Sequence, residues 1–151
     1  GYDILKELKK LGKKTLVIDY NPNTIRMLSG KKIPCLYGDI NNAELLDEFP
    51  LNDIKLLIST VPGIKPNQLL IHELKQRNSR AVVITTAEQF REALELYKAG
   101  SDYVIVPHMI SGEHVSSLLK KSKMDFSGLK KMKNYHIAEL EQRRRLYHAW
   151  R

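Results

Sequence analysis

AVVITTAEQFREALELYKAGSDYVIVP, residues 81–107, decides the fold class. The run AVVIT (81–85) is short, apolar and β-branched, and reads as a strand. Thr86 and Gln89 have the spacing of a capping box. Phe90, Ala93, Leu94 and Tyr97 then recur at helical spacing, and Gly100 stops the helix. A second strand, DYVIVP (102–107), follows at once. Strand, helix and strand joined by short turns make a right-handed βαβ crossover, and its strands run parallel.

The same alternation continues outward. Ile4, Leu5, Leu8 and Leu11 mark an opening helix that Gly12 ends. TLVID (15–19) is a strand, and Asn21-Pro22-Asn23 turns the chain into a short helix running through Leu28 to Gly30. IPCLYGD (33–39) is the next strand, and Asn41 with Glu44 caps a helix through Phe49. KLLIST (55–60) is a strand closed by the turn Val61-Pro62-Gly63, and a helix follows over 66–77. Beyond 107, Ser111 caps a helix with Val115, Leu118 and Leu119 on its apolar face. Five strands alternating with at least six helices predict a Rossmann-like α/β fold, a doubly wound parallel sheet with helices on both faces. The expected division is a domain over 1–122 and a basic tail over 123–151. Within that tail 122–135 reads as a linker, and 139–150 as a helix with Leu140, Leu146, Tyr147 and Trp150.

Composition narrows the function classes. A chain of 151 residues with 42% hydrophobic content can bury a core without metal or disulfide staples. No apolar run approaches the ~20 residues of a membrane span, and GYDILKELKK lacks the pattern of a signal peptide. The single Cys35, inside a strand, reads as a small core residue and fits a reducing compartment. The net charge of +8 is unevenly placed: residues 1–119 hold 15 Lys/Arg against 14 Asp/Glu, and 120–151 hold 10 against 3. The body is therefore nearly neutral, and it lacks a recognition-helix pattern or interleaved aromatics for nucleic acid. Arg143-Arg144-Arg145 reads as a solvated helix face, or as a contact of 143–151 with anionic lipid or an acidic domain.

Candidate binding residues lie where the strands end. Asp19 closes a strand 18 residues after Gly1. Dinucleotide-binding units place an acidic residue about 20 residues past their glycine turn, where it accepts from ribose hydroxyls. Gly1 is thus expected to be the last glycine of a phosphate loop whose first strand precedes this chain. The plainer alternative makes Asp19 a cap for the turn at Asn21-Pro22. Ser59 and Thr60 end a strand, on the side where open α/β sheets take ligands. His72, His108 and His114 have no carboxylate at metal spacing, no metal site is expected, and no nucleophile-base pair or catalytic residue is found.

VIDYNP, IPCLYGDINNAELL, LLIST and VVITTAEQFREALELYKAGSDYVIVP, in this order and spacing, resemble the regulator-of-potassium-conductance family, also known as TrkA-N or KTN. The resemblance covers about 1–122. Asp19, Gly38-Asp39 and AGSDYVIVP (99–107) fill three of that family's motifs. The missing first strand, Asn21 in place of a second Asp, and Val61-Pro62-Gly63 depart from its pattern. The resemblance implies an adenine nucleotide, NAD(H), AMP, ADP or ATP, held by Gly1, Asp19, Tyr20, Asn21, Gly38, Asp39, Ile40, Ser59 and Thr60. Asp19 would take the ribose, and Asp39 with Ile40 would frame the adenine. It further implies a homodimer, with the helix at 111–121 as a contact. The partner would be a potassium channel or cation/proton antiporter, regulated from the cytoplasmic side of the membrane without catalysis by this domain. The alternative is the cofactor domain of an NAD(P)-dependent oxidoreductase. In the order 3-2-1-4-5-6 the absent strand belongs between TLVID and KLLIST, so another chain segment or subunit is expected to fill that place.

Overall fold

The computed structural model describes residues 1–122 and 127–148. Its elements are α1 (Tyr2–Lys10), β1 (Val17–Asp19), α2 (Pro22–Gly30), β2 (Cys35–Tyr37), α3 (Ala43–Leu46), β3 (Leu56–Ile58), α4 (Ile64–Arg77), β4 (Val82–Thr86), α5 (Phe90–Ala99), β5 (Tyr103–Ile105), α6 (Pro107–Ser122) and α7 (Ser127–His148). Every strand pair is parallel, and the class is Rossmann-like α/β. The strands form two hydrogen-bonded ladders, β1–β2 and β3–β4–β5. They belong to two compact units, Gly1–Asp39 with Ser117–Arg151, and Ile40–Ser116.

In the first unit, β1 and β2 are in register from Val17 opposite Cys35 to Asp19 opposite Tyr37. Leu5, Leu28 and Ile33 form its buried core, with Val17, Met27 and Cys35 packed against them. The Cys35 thiol donates to the Ile25 carbonyl at 3.6 Å, in keeping with a core role. Pro22 opens α2, where its missing N–H costs nothing, and Asn21 Oδ1 accepts from the Asn23 N–H at 2.9 Å.

In the second unit, α4 and α5 pack together and against the ladder. Leu70, Ile71, Leu74, Val83, Ala93, Leu96 and Val104 are buried there. Two polar devices tie these elements. Thr85 and Ser101 are both buried, and their hydroxyls meet at 2.8 Å. Asp102 Oδ2 accepts from the Val83 N–H at 2.7 Å and from Lys75 Nζ at 3.1 Å, while Lys75 also donates to the Ala81 carbonyl. The Val83 hydrogen bond, helped by Lys75 and opposed by burial, holds the Asp102 carboxyl below its ordinary range. A depressed carboxyl stabilises the fold above its unfolded value near 4 and ceases to do so as pH falls through the folded value. Asp102→Asn is therefore expected to cost about 1 kcal/mol at neutral pH, a modest figure because the side chain is half-exposed. Urea titrations should show that deficit shrinking toward acid pH; a pH-independent deficit would refute the assignment.

Gly100 ends α5 at φ +114, and a Cβ there would stand 3.3 Å from Ile71 Cγ2. Both the left-handed backbone and the close approach demand glycine. Gly100→Ala should lower unfolding free energy by about 1–3 kcal/mol. A change below about 0.5 kcal/mol in chemical denaturation would contradict this.

Several local expectations are corrected. Asn42, not Asn41, caps α3, its Oδ1 accepting from the Glu44 N–H at 3.1 Å. That helix ends at Leu46 rather than Phe49; beyond it the Asp47, Glu48 and Phe49 N–H groups donate to carbonyls three residues back, the tighter pattern of 3₁₀ turns. The capping box of α5 pairs Gln89 with Glu92, whose Oε2 accepts from the Glu88 and Gln89 N–H groups. Thr86 belongs instead to β4 and donates its hydroxyl to the Ser59 carbonyl at 2.9 Å. Ser111 lies inside α6, bonding back to the Pro107 carbonyl, because Pro107 already opens that helix. The stretch expected as a linker, 122–135, is helical from Ser127, since its Lys, Leu and Met residues favour helix. The expected tail helix is the end of α7 up to His148; Trp150 and residues 123–126 lie outside the described residues.

Candidate functional site

Parallel strands bring their carboxyl ends to one side, and the ends of β1 and β2 carry five of the expected site residues. The Gly38 N–H donates to the Asp19 carbonyl at 3.1 Å. This single bond sets Gly38-Asp39 beside Asp19-Tyr20-Asn21. Asp19 is half-buried, and Tyr20 and Asp39 are exposed. Asp19 Oδ1 accepts from the Asn21 N–H at 2.8 Å, so the plainer capping role is real for one of its two oxygens. Asn21 is likewise engaged as the cap of α2. The result is a short acidic ledge with an exposed tyrosine, held by backbone bonds and able to accept from hydroxyl or amino donors. Gly1, in the same unit, is the N-cap of α1 and makes no side-chain cap. The first-turn N–H groups of α1 are of the kind that attract anions.

Ile40, Ser59 and Thr60 fall in the other unit. Ser59 is buried: its N–H donates to the Ile84 carbonyl at 2.8 Å, its carbonyl accepts from Thr86, and its hydroxyl accepts from the Val61 N–H at 3.4 Å. It locks the end of β3 to β4. Thr60 next to it is exposed, and Ile40 is half-buried.

Asn67 is the residue that sequence reasoning missed. It is fully buried one turn into α4, and its Nδ2 donates to the carbonyls of Val61 at 2.9 Å, Gly63 at 2.7 Å and Thr86 at 3.5 Å. Its Oδ1 is buried with no partner among the described residues. Gly63, at φ +99, turns the chain into α4. A carboxamide is the short side chain that can gather carbonyls from both a loop and a strand. The readable signal was an amide placed just after Val61-Pro62-Gly63, where helix interiors seldom favour Asn.

Among the described residues no group of three or more His, Cys, Asp or Glu is arranged to hold a metal ion. No described helix is long and apolar enough to cross a membrane.

Comparison with known proteins adds the lineage. Potassium channel protein 1 of Methanocaldococcus jannaschii is 24% identical over 120 residues, covering 78% of this chain and 36% of that protein. Ktr system potassium uptake protein A of Vibrio alginolyticus is 24% identical over 132 residues, covering 85% and 59%. The chain thus spans less than two thirds of either relative. Among solved structures, the TrkA-N domain of inner membrane protein ybaL from Escherichia coli aligns with a TM-score of 0.74 at 18% identity, covering 79% of this chain and 88% of that one. The GsuK channel bound to NAD aligns with a TM-score of 0.60 at 17% identity, covering 70% and 19%. These structures share the fold. The TrkA-N domain family itself matches residues 1–107, including the Asp19 and Gly38-Asp39 ledge and both capped helices of the second unit, and this chain belongs to that family.

Proposed function

We propose that this chain is a nucleotide-sensing regulatory domain of a potassium transport protein. One observation carries the reading: the Gly38 to Asp19 bond gathers Asp19, Tyr20, Asn21 and Asp39 at the carboxyl ends of two parallel strands. That is the place and the chemistry for an adenosine, with the ribose hydroxyls on Asp19 and the adenine edge beside Asp39 and Ile40. Gly1 at the start of α1 suits the phosphates, and Ser59 and Thr60 are kept as proposed binding residues of the second unit. The ligand class is NAD(H), AMP, ADP or ATP. Relatives named for potassium transport, and a structural neighbour bound to NAD, support both halves of the proposal.

Regulation would follow from differential affinity. A nucleotide that binds one of two states better shifts a linked membrane channel or cation/proton antiporter toward the matching state. We take 1–122 as the regulatory domain and 123–151 as its basic tail, acting on the cytoplasmic side of the membrane. A homodimer is part of the proposal. Phe90 and Leu94 of α5, and Val115 and Leu119 of α6, are exposed apolar residues at helical spacing, as association surfaces require. The motif set favours binding over catalysis, because no activated nucleophile or acid-base pair accompanies the ledge; the oxidoreductase cofactor domain is the lesser reading. The basic stretch 143–151 completes the set of proposed contacts, with anionic lipid or an acidic domain.

Calorimetric titration with NAD, NADH, AMP, ADP and ATP tests the reading. Saturable binding of at least one supports it, and flat titrations with all five would remove it. Turnover of NADH with a small carbonyl would move the assignment to the oxidoreductase.

A further inference from the structure

Helix α7 has a composition unlike the rest of the chain. It holds six Lys/Arg and two Glu, whereas the body is nearly neutral. At 3.6 residues per turn, Met132, Tyr135 and Leu140 occupy positions within an arc of about 140°. Lys131 borders that arc on one side, Lys133 and Arg144 border it on the other, and Lys130 lies opposite. His136 and Glu139 are polar residues inside it. Met132, Tyr135 and Leu140 are exposed, Tyr135 at 73%. A helix of this length in water ordinarily draws its stability from a packed apolar face, so the exposed arc calls for an occupant.

Charge and pattern decide which. A second copy of α7 would set two helices of net +4 against each other. Steps of three and four from Met132 run through Tyr135 or His136 to Glu139 and then Gln142 or Arg143, so no continuous coiled-coil seam exists. An acidic protein would satisfy the basic side and leave the apolar arc uncovered. A planar anionic surface satisfies both at once. The apolar arc enters the headgroup boundary, Tyr135 sits at its edge, and the flanking Lys and Arg stems reach out to phosphates.

We propose that α7 lies on an anionic lipid bilayer, with the Met132, Tyr135 and Leu140 arc inward and Lys131, Lys133 and Arg144 on the headgroups. This rests on the potassium-transport reading only for having a bilayer near; Asp19 and the nucleotide play no part.

The test is co-sedimentation of the 151-residue chain with phosphatidylcholine vesicles, with and without about one third phosphatidylglycerol. Binding is expected to the anionic vesicles alone, weakening as salt rises from about 0.1 to 0.5 M. Replacing Lys131, Lys133 and Arg144 together by Gln should weaken it about a hundredfold. Met132→Ser with Tyr135→Ser should weaken it about tenfold. No sedimentation with anionic vesicles, or equal sedimentation with neutral ones, would overturn the proposal. Displacement by polyglutamate, with the Met132 and Tyr135 variants binding as tightly as the parent, would reassign the surface to an acidic protein and overturn it too. Asp19→Ala should leave vesicle binding unchanged, which keeps this result separable from failure of the nucleotide reading.

Discussion

Asp19→Ala is expected to weaken adenine-nucleotide binding ten- to a hundredfold. The hypothesis assigns Asp19 a charge-assisted hydrogen bond to ribose, worth roughly 1.5–3 kcal/mol. The same carboxylate also accepts from the Asn21 N–H, so the alanine variant should lose some turn stability as well. Asp19→Asn separates the two roles. It keeps an oxygen for the Asn21 N–H and removes the charge, so the fold should hold while affinity falls. Calorimetry beside urea denaturation reads both. Unchanged affinity in both variants would take the ribose away from Asp19 and leave it as a turn cap.

The largest stability effect is expected at Asn67. Asn67→Asp replaces a buried donor that faces three carbonyl oxygens by an acceptor facing the same three. A lone carboxylate in that setting should cost about 3–5 kcal/mol at neutral pH. Burial beside carbonyls raises the carboxyl's folded-state pKa. A raised carboxyl weakens the fold as pH climbs from the unfolded value near 4 up to the folded one. The variant should therefore recover much of its deficit near pH 3, because the protonated acid can donate once. A deficit under about 1 kcal/mol at pH 7 would show that Asn67 does not tie the 61–63 loop to β4.

The regular alternation of apolar runs and helical stripes made the class and all five strands legible. The class follows from a long pattern that local errors do not disturb. The misplacements cluster at helix starts, where a single side chain decides. Asn41 and Asn42 are equally good caps by composition, and only the backbone path selects Asn42. Thr86 looked like a cap because its hydroxyl partner, the Ser59 carbonyl, is 27 residues away in sequence. On the candidate site, Asp19 stood out by its 18-residue spacing from Gly1 and Gly38-Asp39 by resemblance to a family motif, while the Gly38 to Asp19 bond that joins them appears only in the folded chain. Asn67 was not, since its three acceptors come from a loop and a strand that meet only in the folded chain.

The buried hydroxyl pair of Thr85 and Ser101 has a consequence for how this chain can drift. Ser101 stands just before β5, and the Thr85 hydroxyl that it meets sits on the neighbouring strand β4. Removing Ser101 takes from the buried Thr85 hydroxyl its partner at 2.8 Å, whereas removing Thr85 leaves the Ser101 hydroxyl the carbonyls of Tyr103 at 3.1 Å and Val83 at 3.4 Å. Ser101→Ala should therefore cost more than Thr85→Val, and the double change should cost less than the two single costs added together. The order in which the two positions change thus matters. A sister sequence with Ala at 101 is expected to carry an apolar residue at 85, and the less costly path to that state changes Thr85 first.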